Sequence, residues 1–257
     1  MEETTIKEFE NPDLNEPVLI EGFPGLGEVG RIAVQFLIEK LKAKKLAELY
    51  SPHFPHYVLV DDKGTARLLN GRFFFWKNKE GKHDLILLTG DSQAQTIDGQ
   101  YEVTDKIIEY AKTKGVKLAI SLGGYRAEVE DAPDVVAVSS TPSTLEMAYE
   151  AGAKASPEGN PVVGMAGLLV GLAKFKEIDA LCILARTRGY FPDPEASKRA
   201  LEVLVKALKI QVDLSELDEE IKRAKEIMEK MKTLNERKDR IVEGFRKSER
   251  DRMTYIS

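Results

Sequence analysis

A single cysteine, Cys182, stands among 257 residues, which excludes an intramolecular disulfide framework and any thiolate-bound metal cluster. It lies in an apolar run and reads as an inert core thiol. Histidine is almost as scarce, with only His53, His56 and His83. Pro55 denies His53 and His56 a shared helical face and no third ligand stands near, so a metal site is not expected. Long apolar runs are also missing. The longest uncharged stretch is the fifteen residues from Gly159 to Ala173, short of the ~20 that cross a bilayer as a helix. Nor is there an excess of positive charge: 38 Lys and Arg face 43 Asp and Glu, a net charge of −5. That balance argues against nucleic acid as a partner. The first residues, Met1-Glu-Glu-Thr-Thr, are acidic and polar, the opposite of a secretory signal, so a soluble, cytoplasmic protein is expected with no membrane partner. Gly-x-Ser-x-Gly, a Walker lysine and a ligand cluster are likewise absent, leaving no evident nucleophile or base. The charged share of 32% exceeds the usual ~25% and points toward a thermophile.

What is present is an alternation of apolar strands and amphipathic helices. Pro17–Gly22, Asp84–Thr89, Leu118–Leu122 and Leu181–Leu184 read as buried strands. Residues 57–60, 66–69 and 72–76, separated by turn residues, suggest an antiparallel meander. Between them, Arg31–Leu41 is apolar at helical spacing, 99–114 stops at Gly115, and Asp193-Pro194 caps a helix running to Lys209. The Gly-studded segment 160–173 reads as a helix packed closely on the sheet or, failing that, against another subunit. Strands separated by helices imply right-handed crossovers. The expected fold is α/β, a three-layer sandwich with a mixed, mainly parallel sheet.

Charge then separates the chain into parts. Residues 213–257 carry 12 acidic and 12 basic side chains among 45, and read as a helical appendage with a flexible tail behind an α/β domain at 1–212. In the appendage Leu217, Ile221, Ala224, Met228 and Met231 recur at alternating spacings of four and three. A stripe of about two heptads serves a helix docked on its own domain or one paired with another subunit.

The sharpest short motif is Phe23-Pro-Gly-Leu-Gly-Glu-Val-Gly30, which places Gly25, Gly27 and Gly30 between a strand and a helix. One reading is a dinucleotide fingerprint, with pyrophosphate on the helix N-terminus. Against it, Pro24 stiffens the turn, Glu28 sits where phosphate would arrive, and the acidic residue expected ~20 positions on is missing. The other reading is a tight strand-to-helix turn that uses glycine for close packing. Asp91-Ser-Gln93, Ser121-Leu-Gly-Gly-Tyr125 and Arg186-Thr-Arg-Gly-Tyr-Phe-Pro192 are polar loops where α/β folds hold ligands.

Taken together, several blocks resemble the PAC2 family, the archaeal homologues of proteasome-assembly chaperones. They are Gly22–Gly30, Thr89–Gln93, Ser121–Tyr125, Asn160–Gly167, Ala185–Pro194 and Gln211–Leu217, spread over about residues 17–217. The resemblance implies a nucleoside-phosphorylase-like sandwich without an established catalytic site and without a cofactor. It also implies homo-oligomers, and an ATP-independent chaperone for proteasome α subunits or a partner such as another PAC2-like protein. In such proteins a tail ending hydrophobic-Tyr-any residue enters pockets between α subunits. Here Met253, Tyr255, Ile256 and Ser257 supply the residue types, but the tyrosine is third from last, a shift of ~3.5 Å of chain. The alternative is a nucleotide- or small-molecule-binding enzyme built on the Gly-rich loop at 23–30.

Overall fold

In the computed structural model, residues 1–127, 132–227 and 229–230 are described, and the chain divides into two compact units, Met1–Leu214 and Ser215–Ser257. In chain order the strands of the first unit are β1 (Thr5–Glu8), β2 (Val18–Glu21), β3 (Lys44–Tyr50), β4 (Val58–Val60), β5 (Ala66–Leu68) and β6 (Gly71–Trp76). They continue with β7 (Leu85–Gly90), β8 (Leu118–Tyr125), β9 (Val135–Ser139), β10 (Lys154–Ala155) and β11 (Asp179–Arg186). The helices are α1 (Val29–Lys40), α2 (Ile97–Thr113), α3 (Pro142–Glu150), α4 (Met165–Ala173) and α5 (Pro194–Leu208).

β2 and β7 are buried at every residue. Such continuous apolar strands belong at the centre of a sheet covered on both faces. Accordingly β7, β2, β8 and β11 run parallel side by side within a nine-stranded sheet of order β1-β3-β6-β7-β2-β8-β11-β9-β10. Beyond β7 the pairs are antiparallel through β6, β3 and β1, and β9 is antiparallel to β11. Helices α1, α3 and α5 pack on one face, α2 and α4 on the other, so the chain forms the expected α/β sandwich on a mixed sheet, whose four central strands are parallel while its eight pairings divide equally between parallel and antiparallel. The inner stripe of α5, with Ala196, Ala200, Leu201 and Leu204 fully buried, shows why that helix adheres. Its start is fixed by Asp193, whose carboxylate accepts from the Ala196 N–H at 2.9 Å.

The meander expected at 57–76 divides instead. β4 and β5 pair only with each other, while β6 joins the main sheet between β3 and β7. The segment 160–173 becomes helical only at Met165, after Gly164 at φ 88°. In the second unit, residues 216–227 are helical; Leu217 is buried, and Ile221 and Ala224 are half-exposed. Met228 and Met231 lie outside the described residues, as do Met253, Tyr255, Ile256 and Ser257.

Candidate functional site

The parallel strands all release their chains at one end of the sheet, and the loops singled out in the sequence meet there. The Gly-rich turn is a packing device. A Cβ on Gly30 would collide with the Leu122 carbonyl, one on Gly22 with the Gly30 carbonyl, and one on Gly124 with the Leu26 carbonyl. Glycine at these positions lets α1 lie directly against β8. Gly27 has φ 62° and Glu28, also left-handed at φ 54°, caps α1. The Glu28 carboxylate accepts from Arg31 Nη1 at 3.2 Å, so negative charge already stands at the helix N-terminus. The turn is tied to the 186–193 loop: the Asp193 N–H donates to the Gly27 carbonyl at 2.8 Å, and Thr187 Oγ1 donates to Asp193 Oδ2 at 2.7 Å.

β2 and β7 are followed by helices on opposite faces. The crevice between their carboxyl ends is the switch point where open α/β sheets hold ligands. Here the protein's own side chains occupy it. The Phe23 ring is buried and lies in a slot that exists because Gly90 and Gly71 have no Cβ. Gln93 closes the top, donating to the Pro24 carbonyl at 2.8 Å and accepting from the Met165 N–H at 3.2 Å.

Beneath the turn sits a carboxyl that sequence reasoning missed. Glu21 is 2% exposed. Ser121 Oγ donates to it at 2.7 Å and the Phe23 N–H at 3.1 Å. Both donors are neutral. Burial pushes the Glu21 carboxyl up to about 7, against the pull of those two hydrogen bonds. The fully buried Cys182 thiol is pushed up to about 12, by burial first and the Glu21 charge second. The signal was a charged residue closing an otherwise apolar run, which also describes any strand that ends at the surface.

Beside the turn lies an open groove of roughly 860 Å³. Its walls come from the β4–β5 hairpin with Leu59 and Arg67, from the loop with Tyr190 and Phe191, and from the start of α1 with Arg31. At its side Asp91 is held by Arg67 at 2.6 and 3.1 Å, by Arg72 at 3.1 Å and by the Asn70 N–H at 3.0 Å. Burial opposes ionisation of Asp91, but these donors hold its carboxyl below the usual range. Around this end apolar side chains face water: Val58, Val60 and Leu68 on the hairpin, Val163 before α4, and Tyr190 and Phe191.

Of the histidines, His53 pairs with Glu102 at 2.9 Å and His83 with Glu16 at 3.6 Å. Among the described residues no three His, Cys, Asp or Glu converge as metal ligands, and no helix is long and apolar enough to cross a membrane.

The model of the PAC2 family matches residues 19–232. An uncharacterised protein of Methanocaldococcus jannaschii is 30% identical over 244 residues, 95% of this chain and 93% of the relative. Among solved structures, Pyrococcus furiosus PbaB, an archaeal proteasome activator, is 37% identical with a TM-score of 0.84, over 90% of this chain and all of that one. Pyrococcus furiosus PbaA, an archaeal homologue of proteasome-assembly chaperone, is 26% identical with a TM-score of 0.74, over 99% of this chain and all of PbaA.

Proposed function

The chain belongs to the PAC2 family, and from that premise we propose that it is a non-enzymatic, ATP-independent chaperone or scaffold. It acts as a homo-oligomer in the cytoplasm, through protein–protein contacts with proteasome α subunits or with another PAC2-like protein. The observation that carries this reading is the likeness to PbaB, a proteasome activator, at 37% identity over 90% of the chain. Two features of the fold support it. The switch-point crevice is occupied by Phe23 and Gln93, and the same end of the molecule exposes apolar side chains to solvent, as interaction surfaces do. The stripe of Leu217, Ile221, Ala224, Met228 and Met231, in an appendage spanning 213–257 behind the α/β domain, then serves helix docking or subunit pairing. Met253, Tyr255, Ile256 and Ser257 serve the partner. Size-exclusion chromatography with light scattering tests the proposal: the expected result is a defined homo-oligomer that co-elutes with purified α subunits. A monomer at micromolar concentration that ignores α subunits would overturn it.

A second reading, a nucleotide- or small-molecule-binding enzyme, is favoured by one observation, the groove that borders the 23–30 turn. Thermal-shift measurements with ATP, NAD(P), nucleosides and phosphate separate the two. A ligand at 100 times its Kd adds ~2.7 kcal/mol and a clear rise in Tm, whereas the scaffold reading predicts none.

A further inference from the structure

The groove beside the Gly-rich turn has a chemistry of its own. On a chain of net charge −5 it is lined by Arg31, Arg67 and Arg72 against Glu28 and Asp91. Asp91, with only 7% of its side chain exposed, spends both oxygens on the guanidinium groups and on Asn70. It therefore orients Arg67 and Arg72 rather than repelling an incoming carboxylate. Arg72 donates one hydrogen bond among the described residues, to Asp91, of the five its guanidinium carries. Two further arginines flank the aromatic wall. Arg126 stacks on the Tyr190 ring at 4.2 Å, and its Nε donates to the carbonyl of the exposed Arg188 at 3.0 Å. That wall is apolar and solvated, Tyr190 being 76% and Phe191 52% exposed, and Leu59 lines the same groove.

We propose that this groove receives an extended acidic segment of a protein partner, its carboxylates on the arginines and its apolar side chains against Leu59, Tyr190 and Phe191. Guanidinium groups take carboxylates through paired hydrogen bonds, and an open cleft with apolar walls suits a chain whose side chains alternate in character. A polyphosphate fits less well. Three lining arginines against Glu28 and Asp91 leave an excess of one positive charge, which suits carboxylates spaced along a chain by apolar side chains and falls short of the several adjacent charges of a polyphosphate. The inference rests on the proposed protein-binding role and names the chemistry of the partner.

The test is fluorescence anisotropy of the full chain with a labelled peptide in which glutamate alternates with leucine and phenylalanine. A counterpart carries lysine for each glutamate. The acidic peptide is expected to bind and the lysine peptide not. Arg31→Glu and Phe191→Ala, both at exposed positions, are each expected to weaken binding about tenfold or more; unchanged thermal unfolding certifies their fold. Excess phosphate or ATP should not displace the peptide. Equal binding of both peptides, no binding of the acidic one, unchanged affinity in the two variants, or displacement by phosphate or ATP each overturns the assignment. Capture of α subunits, measured on the same proteins, keeps the two proposals apart. Capture unaffected by Arg31→Glu contradicts the groove and leaves the chaperone reading standing. Peptide binding without capture does the reverse.

Discussion

Glu21 closes a strand whose other three residues are apolar and buried, and its buried carboxyl accepts from a hydroxyl and an amide, both neutral. Its folded value of about 7 lies above the ordinary 4.5. Between those limits the unfolded chain releases a proton that the folded protein keeps. Stability is therefore full below about pH 4.5, declines as pH rises, and has lost this contribution above about 7. Glu21→Gln keeps the shape and removes the titration. Urea unfolding should find it more stable than the parent at pH 8, by up to about 3 kcal/mol, and nearly indifferent to pH across that interval. Parallel pH profiles for the two proteins would contradict the assignment. Phe23 is a second case: emptying its slot between Gly71 and Gly90 with Phe23→Ala should cost ~3–5 kcal/mol by the same assay. At Gly30 a methyl group meets the Leu122 carbonyl, so Gly30→Ala should force α1 off β8 and cost at least ~1–3 kcal/mol. The burial of Glu21 and the slot around Phe23 were not legible in the sequence. The close-packing turn was one of the two readings of the glycine motif, with Pro24 and Glu28 already against a phosphate loop, and the position of Leu122, far along the chain, decides for it at Gly30.

At the scale of elements, the buried central strands and the helices between them were legible because their burial is written in local apolar runs. β3 was not. Its residues Lys44-Lys-Leu-Ala-Glu-Leu-Tyr50 mix charge with apolar character, and only pairing with β1 and β6 makes them a strand. The β4–β5 hairpin was read as part of a meander, since residue type cannot tell which neighbour a short strand will choose. Standing apart from the main sheet, it is the kind of two-stranded unit that is marginal alone, and the Arg67–Asp91 contact ties it down. Arg67→Ala should therefore speed hydrogen exchange of the amides at 58–68 several-fold while exchange in β2, β7 and β8 stays slow. Uniform protection in the variant would show that other contacts hold the hairpin.

For the molecule as a whole, the family was legible because spaced blocks such as Gly22–Gly30 and Ala185–Pro194 occur in order along the chain. The structure shows that many of these residues build one end of the sheet. The groove and the Arg67–Asp91–Arg72 cluster were not legible, since they join residues from four separate segments. Partner recognition, as proposed, lies in protein surfaces rather than in a catalytic crevice. Native mass spectrometry of the full chain, alone and mixed with proteasome α subunits, beside a version lacking residues 253–257, tests this most directly. The predicted result is a defined homo-oligomer that captures α subunits, with capture lost and the homo-oligomer retained when residues 253–257 are removed. A chain that remains monomeric and leaves α subunits uncaptured would contradict the account.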